Sequence, residues 1–325
     1  METDRRRLIT GTLALGIAGA TSVRAQSVYP NRPVRVIVPF APGGITDVVA
    51  RLITGKVGEQ LSKQFYVENI VGGSGNVGMG QAARATPDGY TILTAFSSFV
   101  INPGLFERVP YDPVNDFDPV SLAVTSTTVI VVNADLPVSN VKELAALIRA
   151  NPGKYTYASA GAGTTAHLAG EQFRLTFALD LVHVPFGGGA PSMAAAVAGH
   201  TPIAFGSLTA AVPLIRDGKL RALATSGKIR TQTLPDVPTM AESGYPGMEG
   251  DSFVGFVVPA GTPKDIITVL NREIVKSLAV PEMQERQREL GNDLVASTPE
   301  EFGTRIKAEL ATWAKVIKAA NIKAG

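Results

Sequence analysis

Apolar and polar positions follow two patterns along this chain: short unbroken apolar runs, and longer stretches with a single apolar face. Val34 to Phe40 is an apolar run interrupted by Arg35, the pattern of a strand buried on both faces in a parallel sheet. Asp47 to Leu61 then carries Val48, Val49, Leu52, Ile53, Val57 and Leu61 as one helical stripe. Phe65 to Glu68, Tyr90 to Ala95 and the β-branched Val129 to Asn133 read as strands. Lys142 to Ala150 reads as a helix stopped by Asn151-Pro152-Gly153. The alternation continues with strand Tyr155 to Ser159, a helix from about Thr165, strand Leu181 to Pro185 and a helix over Pro191 to Ala198. Strand Ile203 to Phe205, helix Val212 to Arg216 and strand Leu220 to Thr225 follow.

The tail is predicted to be helical. Thr262-Pro263 and Thr298-Pro299 each place a hydroxyl before a proline at a first helical position. Thr298 with Glu301 also forms a capping-box pattern. Phe302, Ile306, Leu310, Trp313 and Ile317 make one buried stripe. Strands alternating with helices predict an α/β protein with parallel-dominated sheets. No short-period repeat or low-complexity linker divides it.

One junction recurs. VPFAPGGITDVVARLI passes from strand through glycine loop to helix start, and YTYASAGAGTTAHLAGEQF repeats that passage more than a hundred residues later. Free N–H groups at a helix N-terminus, with the macrodipole behind them, attract negative charge. Either junction alone is an ordinary strand–helix turn; a matched pair predicts a ligand site. Further small-residue loops join it at Ala95-Phe96-Ser97-Ser98, Pro185-Phe186-Gly187-Gly188-Gly189 and Phe205-Gly206-Ser207. None of these loops contains Lys or Arg, which favours a carboxylate over a multiply charged phosphate. Both the Walker pattern and the dinucleotide fingerprint are absent. Gly72-Gly73-Ser74-Gly75 lacks the spacing of a nucleophile elbow and predicts a tight crossover into the next helix.

The chain of 325 residues is 45% hydrophobic, enough for one large core or two domains. Arg5-Arg6-Arg7, the apolar stretch Leu8 to Ala20 and Val23-Arg24-Ala25 form an export signal over residues 1–25, with cleavage expected after Ala25. The chain is thus expected in the periplasm. Removing that segment takes four arginines against Glu2 and Asp4, which equals the whole formal charge of +2 and leaves a near-neutral protein. Nucleic acid and anionic membranes are therefore not expected as partners. The absence of cysteine rules out thiol catalysis and cysteine-ligated metal. His167, His183 and His200 lack metal-ligand spacing, and no paired carboxylates suggest acid–base chemistry. No catalytic residue, metal or cofactor is expected. Asp47 is expected to cap or brace its loop.

These stretches, with Tyr29-Pro30-Asn31-Arg32-Pro33, ENIVGGSGNVG, PDGYT, YDPVNDFDPVSL, VHVPFGGGAPSM, LPDVPTMAESG and FVVPAGTP, resemble the Bug family. Its members are periplasmic substrate-binding proteins of tripartite tricarboxylate transporters, and the resemblance covers essentially the whole exported chain. It implies a type II-like, two-lobed periplasmic binding fold whose lobes, joined by two crossing strands, close like a flytrap. Residues 28–125 plus 250–325 would form lobe one and residues 126–249 lobe two. It also implies a ligand carboxylate held at Pro42, Gly43, Gly44, Thr46 and Asp47, faced by Ser159, Ala160, Gly161, Gly163, Thr164, Thr165 and His167. Ser97, Ser98, Phe186, Gly187 and Ser207 complete the candidate set with Phe40 and Phe205.

Relatives often carry a hydroxyl and a cation where this chain has Phe186-Gly187, which argues against a ligand as charged as citrate. Phe40, Phe99, Phe186 and Phe205 would suit a mono- or dicarboxylate with an aliphatic or aromatic body. The implied partners are that small carboxylate and the membrane subunits of the transporter, with the binding protein a monomer. A periplasmic sensor for a signalling receptor, and a hydrolase or lyase of small carboxylates using His167, are the alternatives.

Overall fold

Residues 29–248, 250–320 and 322 are described by the computed structural model; the expected export segment lies outside them. The opening apolar run forms β1 (Val34–Val38), flanked by parallel neighbours β2 (Phe65–Asn69) and β3 (Thr91–Phe96). Helices α1 (Ile45–Leu61), α2 (Asn76–Ala83) and α3 (Ser98–Leu105) connect and follow them. The glycine stretch before α2 is a single 3-10 turn at Gly73–Gly75, the tight crossover expected.

β4 (Phe117–Asn133) then runs for 17 residues, and the rest of the architecture hangs on it. After it come α4 (Val141–Arg149), β5 (Thr156–Ser159), α5 (Thr165–Thr176), β6 (Val182–Pro185) and α6 (Gly189–Val197). β7 (Ile203–Ser207), α7 (Leu208–Arg216) and β8 (Leu220–Thr225) complete the second half. The chain returns through β9 (Asp251–Pro259), α8 (Lys264–Leu278), α9 (Pro281–Glu289), β10 (Asn292–Leu294) and α10 (Pro299–Ala320).

The sheet order is β2-β1-β3-β9-β4-β7-β5-β6, with β8 and β10 also on β4. Phe117 to Thr127 of β4 pair with β9, whereas Thr128 to Asn133 pair with β7 and β8. One strand thus passes from the first lobe into the second. The return crossing is not a second continuous strand. β8 ends at Thr225, and Ser226 closes the junction: its N–H donates to Thr128 O at 2.9 Å and its hydroxyl to Gly250 O at 2.7 Å. The sheet is also more mixed than predicted, because β4 and β9 enter antiparallel between two parallel sets.

Helices cover both faces of each lobe's sheet, which is why its strands read as unbroken apolar runs. In the first lobe α1 and α8 bury Ile53, Val57, Leu270 and Ile274 on one face. α3 and α10 bury Phe99, Val100, Phe302 and Ile306 on the other. The predicted capping box forms: Glu301 N–H donates to Thr298 Oγ1 at 3.2 Å, and Thr298 N–H to Glu301 at 2.9 Å. Thr262 differs from expectation. Its hydroxyl donates backwards to Pro259 O at 2.7 Å, and α8 begins after Pro263 with no side-chain cap.

Phe302 lies fully buried over Gly255 of β9, which has no side chain to displace it. Truncating it to alanine removes the anchor of α10 on the first-lobe sheet. Phe302→Ala is expected to lower unfolding stability by about 3–5 kcal/mol, read as a fall in the denaturation midpoint.

Candidate ligand-binding site

In the first lobe the chain leaves β1 through Phe40 and enters α1 at Gly44. Gly44 has no side chain to cap the helix, so the first-turn N–H groups stay available. Asp47 braces this loop from behind. Its carboxylate accepts from Gly43 N–H at 3.0 Å and from Arg51 and Asn69 at 2.9 Å each. Burial pushes the Asp47 carboxyl up, but the hydrogen bonds from Arg51, Gly43 and Asn69 outweigh it and hold it below the usual carboxylate range. Asn69 also donates to Phe40 O at 2.9 Å, tying the loop to β2.

The second-lobe junction is braced without charge. Thr164 caps α5, accepting from His167 N–H at 3.2 Å while its hydroxyl donates to Gly161 O at 2.7 Å. His167 Nδ1 accepts from Gly163 N–H at 3.2 Å, which places the ring proton on Nε2. His183 stacks on His167 with ring centres 4.3 Å apart, and its Nε2 meets Ser159 Oγ at 2.7 Å. Burial lowers the His167 pKa to about 4, and burial with the neighbouring His167 lowers that of His183 to about 3. Both rings are neutral at pH 7.

Between these loops lies one small cavity. Gly44 and Thr46 at the start of α1 face Thr164 and Thr165 at the start of α5 across it. Gly189 at the start of α6, Ser207 before α7 and Ser252 of β9 complete the polar wall. Phe40 and Phe96 form its apolar side, edge to face at 5.7 Å. Four helix N-termini therefore converge on one space, and no Lys or Arg lines it among the described residues. The space measures only about 20 Å³, because the lobes are closed on each other. Ala41 N–H donates across the cleft to Gly187 O at 2.8 Å. The backbones of Gly44 and Gly189 touch, so that a Cβ on Gly44 would lie 3.2 Å from Gly189 N. Gly163, at φ +75°, presses against Asn102 Oδ1, leaving no room for a methyl group.

The predicted candidates divide by position. Phe40, Gly44, Thr46, Ala160, Thr164, Thr165 and Ser207 stand on the cavity wall. Pro42 and Gly43 are exposed and off the cavity wall, Gly43 facing Ala190 of the second lobe so closely that a Cβ there would lie 3.2 Å from it. Asp47, Ser159 and His167 sit behind the loops as braces. Gly161, Gly163 and Gly187 make contacts between the lobes. Ser97 is buried, accepting from Phe253 N–H at 2.9 Å, and Ser98 is buried off the wall. Phe186 packs partly buried against the second-lobe core, and Phe205 is fully buried there beside Tyr157 and Phe173. Neither phenylalanine lines the cavity. Wall residues outside the candidate set are Ile45, Phe96, Ala166, Gly189, Gly206 and Ser252. Most of these adjoin predicted residues, but Ser252 belongs to β9, whose start carries no local signal.

Two α/β lobes sharing a strand, with helix N-termini around a cleft, define a periplasmic solute-binding protein. Residues 49–322 match the family model described as "Tripartite tricarboxylate transporter family receptor", TctC, and the chain belongs to this family. A UPF0065 protein of Pseudomonas sp. is 36% identical over 96% of this chain and 94% of its own. Protein BugT of Bordetella pertussis is 33% identical over 95% of each. Among solved structures, the periplasmic binding protein BugD matches with TM-score 0.88 and 36% identity, covering 91% of this chain and 99% of its own. An R. palustris protein with adipate matches at TM-score 0.88 and 32% identity, covering 91% and 99%. MatC from Rhodopseudomonas palustris, with bound malate, matches at 0.85 and 30%, covering 89% and 100%. These are binding proteins, not enzymes.

Two outcomes are expected. Gly163→Ala should block lobe closure, seen as a larger radius of gyration in solution scattering than the wild type shows. Asp47→Asn should lower the melting temperature at pH 7. Since the folded carboxyl titrates below its unfolded value, the stabilisation is full above the ordinary carboxylate range and fades as pH falls through the folded pKa. The gap in melting temperature between wild type and Asp47→Asn should therefore narrow in acid.

Proposed function

We propose that this protein captures a small mono- or dicarboxylate between its lobes in the periplasm and delivers it to the membrane subunits of a tripartite tricarboxylate transporter. The observation that carries this is the convergence of the α1, α5, α6 and α7 N-termini on a wall without cations. Backbone N–H groups and the hydroxyls of Thr46, Thr165 and Ser207 suit a carboxylate, whereas a phosphate ester would ordinarily recruit Arg or Lys. The relatives solved with adipate and malate support the same class of ligand.

A cavity of about 20 Å³ holds roughly one water, so ligand enters when the lobes part. Affinity then arises from preferential binding to a state in which the lobes have closed around the ligand, less tightly than they meet here. The candidate residues on the wall hold the carboxylate by hydrogen bonds, and no covalent step is involved. Membership of the family and the export signal at residues 1–25 support the periplasmic assignment and the transporter as partner.

A thermal-shift panel of the mature protein against mono-, di- and tricarboxylates tests this. A cognate acid at about 100 times its Kd should add about 2.7 kcal/mol of stability, and small mono- or dicarboxylates should outperform citrate. Shifts produced only by sugars, amines or phosphate esters would overturn the assignment.

A further inference from the structure

A second cavity adjoins the first. It has a volume of about 420 Å³, within the range of small-molecule sites, and Thr165 belongs to the walls of both. From Thr165 it follows one flank of α5 through Leu168, Ala169 and Gln172 to Leu175. Those spacings of three and four residues trace a single helix face. The run from Thr165 to Thr176 extends about 16 Å at the helical rise. Across it, α10 of the first lobe presents Trp313 and Val316. Among the described residues none of those lining this groove is charged. Ser226 and Gly250, the closure of the return crossing, form part of its wall, so the groove lies between the lobes beside the hinge.

Resting on the carboxylate reading above, we infer that the two cavities form one bent site, whose second arm takes the apolar tail of an aliphatic or aromatic monocarboxylate. The polar arm supplies N–H groups and hydroxyls for a carboxylate, and once the lobes part enough to admit it, the groove is the larger space into which a chain can extend. Among the described residues the groove supplies mostly apolar surface and no cationic partner for a second charge, so a distal carboxylate would lose part of its hydration there with no ion pair in return. Thr165 stands at the bend: it opens the first turn of α5 and lines both cavities. The ligand's head would sit at the α5 N-terminus and its tail would lie along the helix that follows.

Calorimetric titration with acetate, butyrate, hexanoate and octanoate tests this, in the wild type and in Ala169→Phe and Val316→Glu. Ala169→Phe fills the groove, and Val316→Glu puts a charge at its rim, where the side chain is 40% exposed and tolerates replacement. Wild-type association constants should climb about fourfold per added methylene. Both substitutions should collapse the octanoate-to-acetate ratio. A ratio that is flat in the wild type while short acids bind would overturn the tail arm and leave the carboxylate site standing. A climb that survives both substitutions would also overturn it. Failure of every acid to bind would defeat the carboxylate reading itself, and this inference with it.

Discussion

Four helix N-termini pointing into one closed space is an electrostatic constraint on everything around it. Each carries about half a positive charge, and among the described residues the walls provide no carboxylate to balance them. Asp47, in the first turn of α1, is off the wall and engaged by Gly43, Arg51 and Asn69. Closure without ligand therefore brings like partial charges together. Contacts between the lobes oppose this repulsion, among them the Ala41–Gly187 hydrogen bond, the hydrogen bonds of Thr209 to Asn292 and of Thr233 to Arg288 O, the burial of Leu168 in the first-lobe core and the abutment of Gly163 on Asn102. An anion in the centre would be attracted by all four termini at once, and the repulsion between them would give way to a shared hold. On the proposed function, capture and closure are for that reason a single equilibrium.

The fold delivers those termini to one place through β4. Because one strand is shared, the two sheets have a fixed register at Thr127 and Thr128, and the N-termini of helices from different lobes meet along it. The return path is built differently. Ser226 and Gly250 close it through a hydroxyl and single backbone bonds, where a continuous ladder would be stiffer. The joint thus combines one rigid element with one compliant element.

Local pattern revealed the strand–loop–helix junctions because β1 and α1 each bury one kind of face, and Val34 to Val38 are apolar for a reason visible nearby. Thr164 and Thr165 were legible for a similar reason, since capping chemistry is local. β9 and the first half of β4 were not. Ser121, Ser126 and Ser252 put hydroxyls into a buried ladder, where Ser121 bonds Ser297 O and Ser252 bonds Ser126 O, and that breaks the apolar signature. Phe186 and Phe205 misled for the opposite reason. An aromatic residue beside a glycine loop looks like a ligand wall, yet its direction is set by the strand's alternation, which turned Phe205 into the second-lobe core. The closed cleft depends on glycines from distant segments, and no spacing within either segment reveals that Gly163 will meet Asn102.

The His167–His183 stack has a consequence for the setting in which the protein works. Most histidine-braced sites gain charge in mild acid. Here both rings refuse the proton until about pH 4 or below, so the scaffold beneath the second-lobe loop keeps the same charge across environmental swings. The cost falls on the fold. Below the ordinary histidine pKa the unfolded chain accepts protons that the folded chain declines, and stability drains away as the medium sours. The molecule keeps its grip constant by conceding durability.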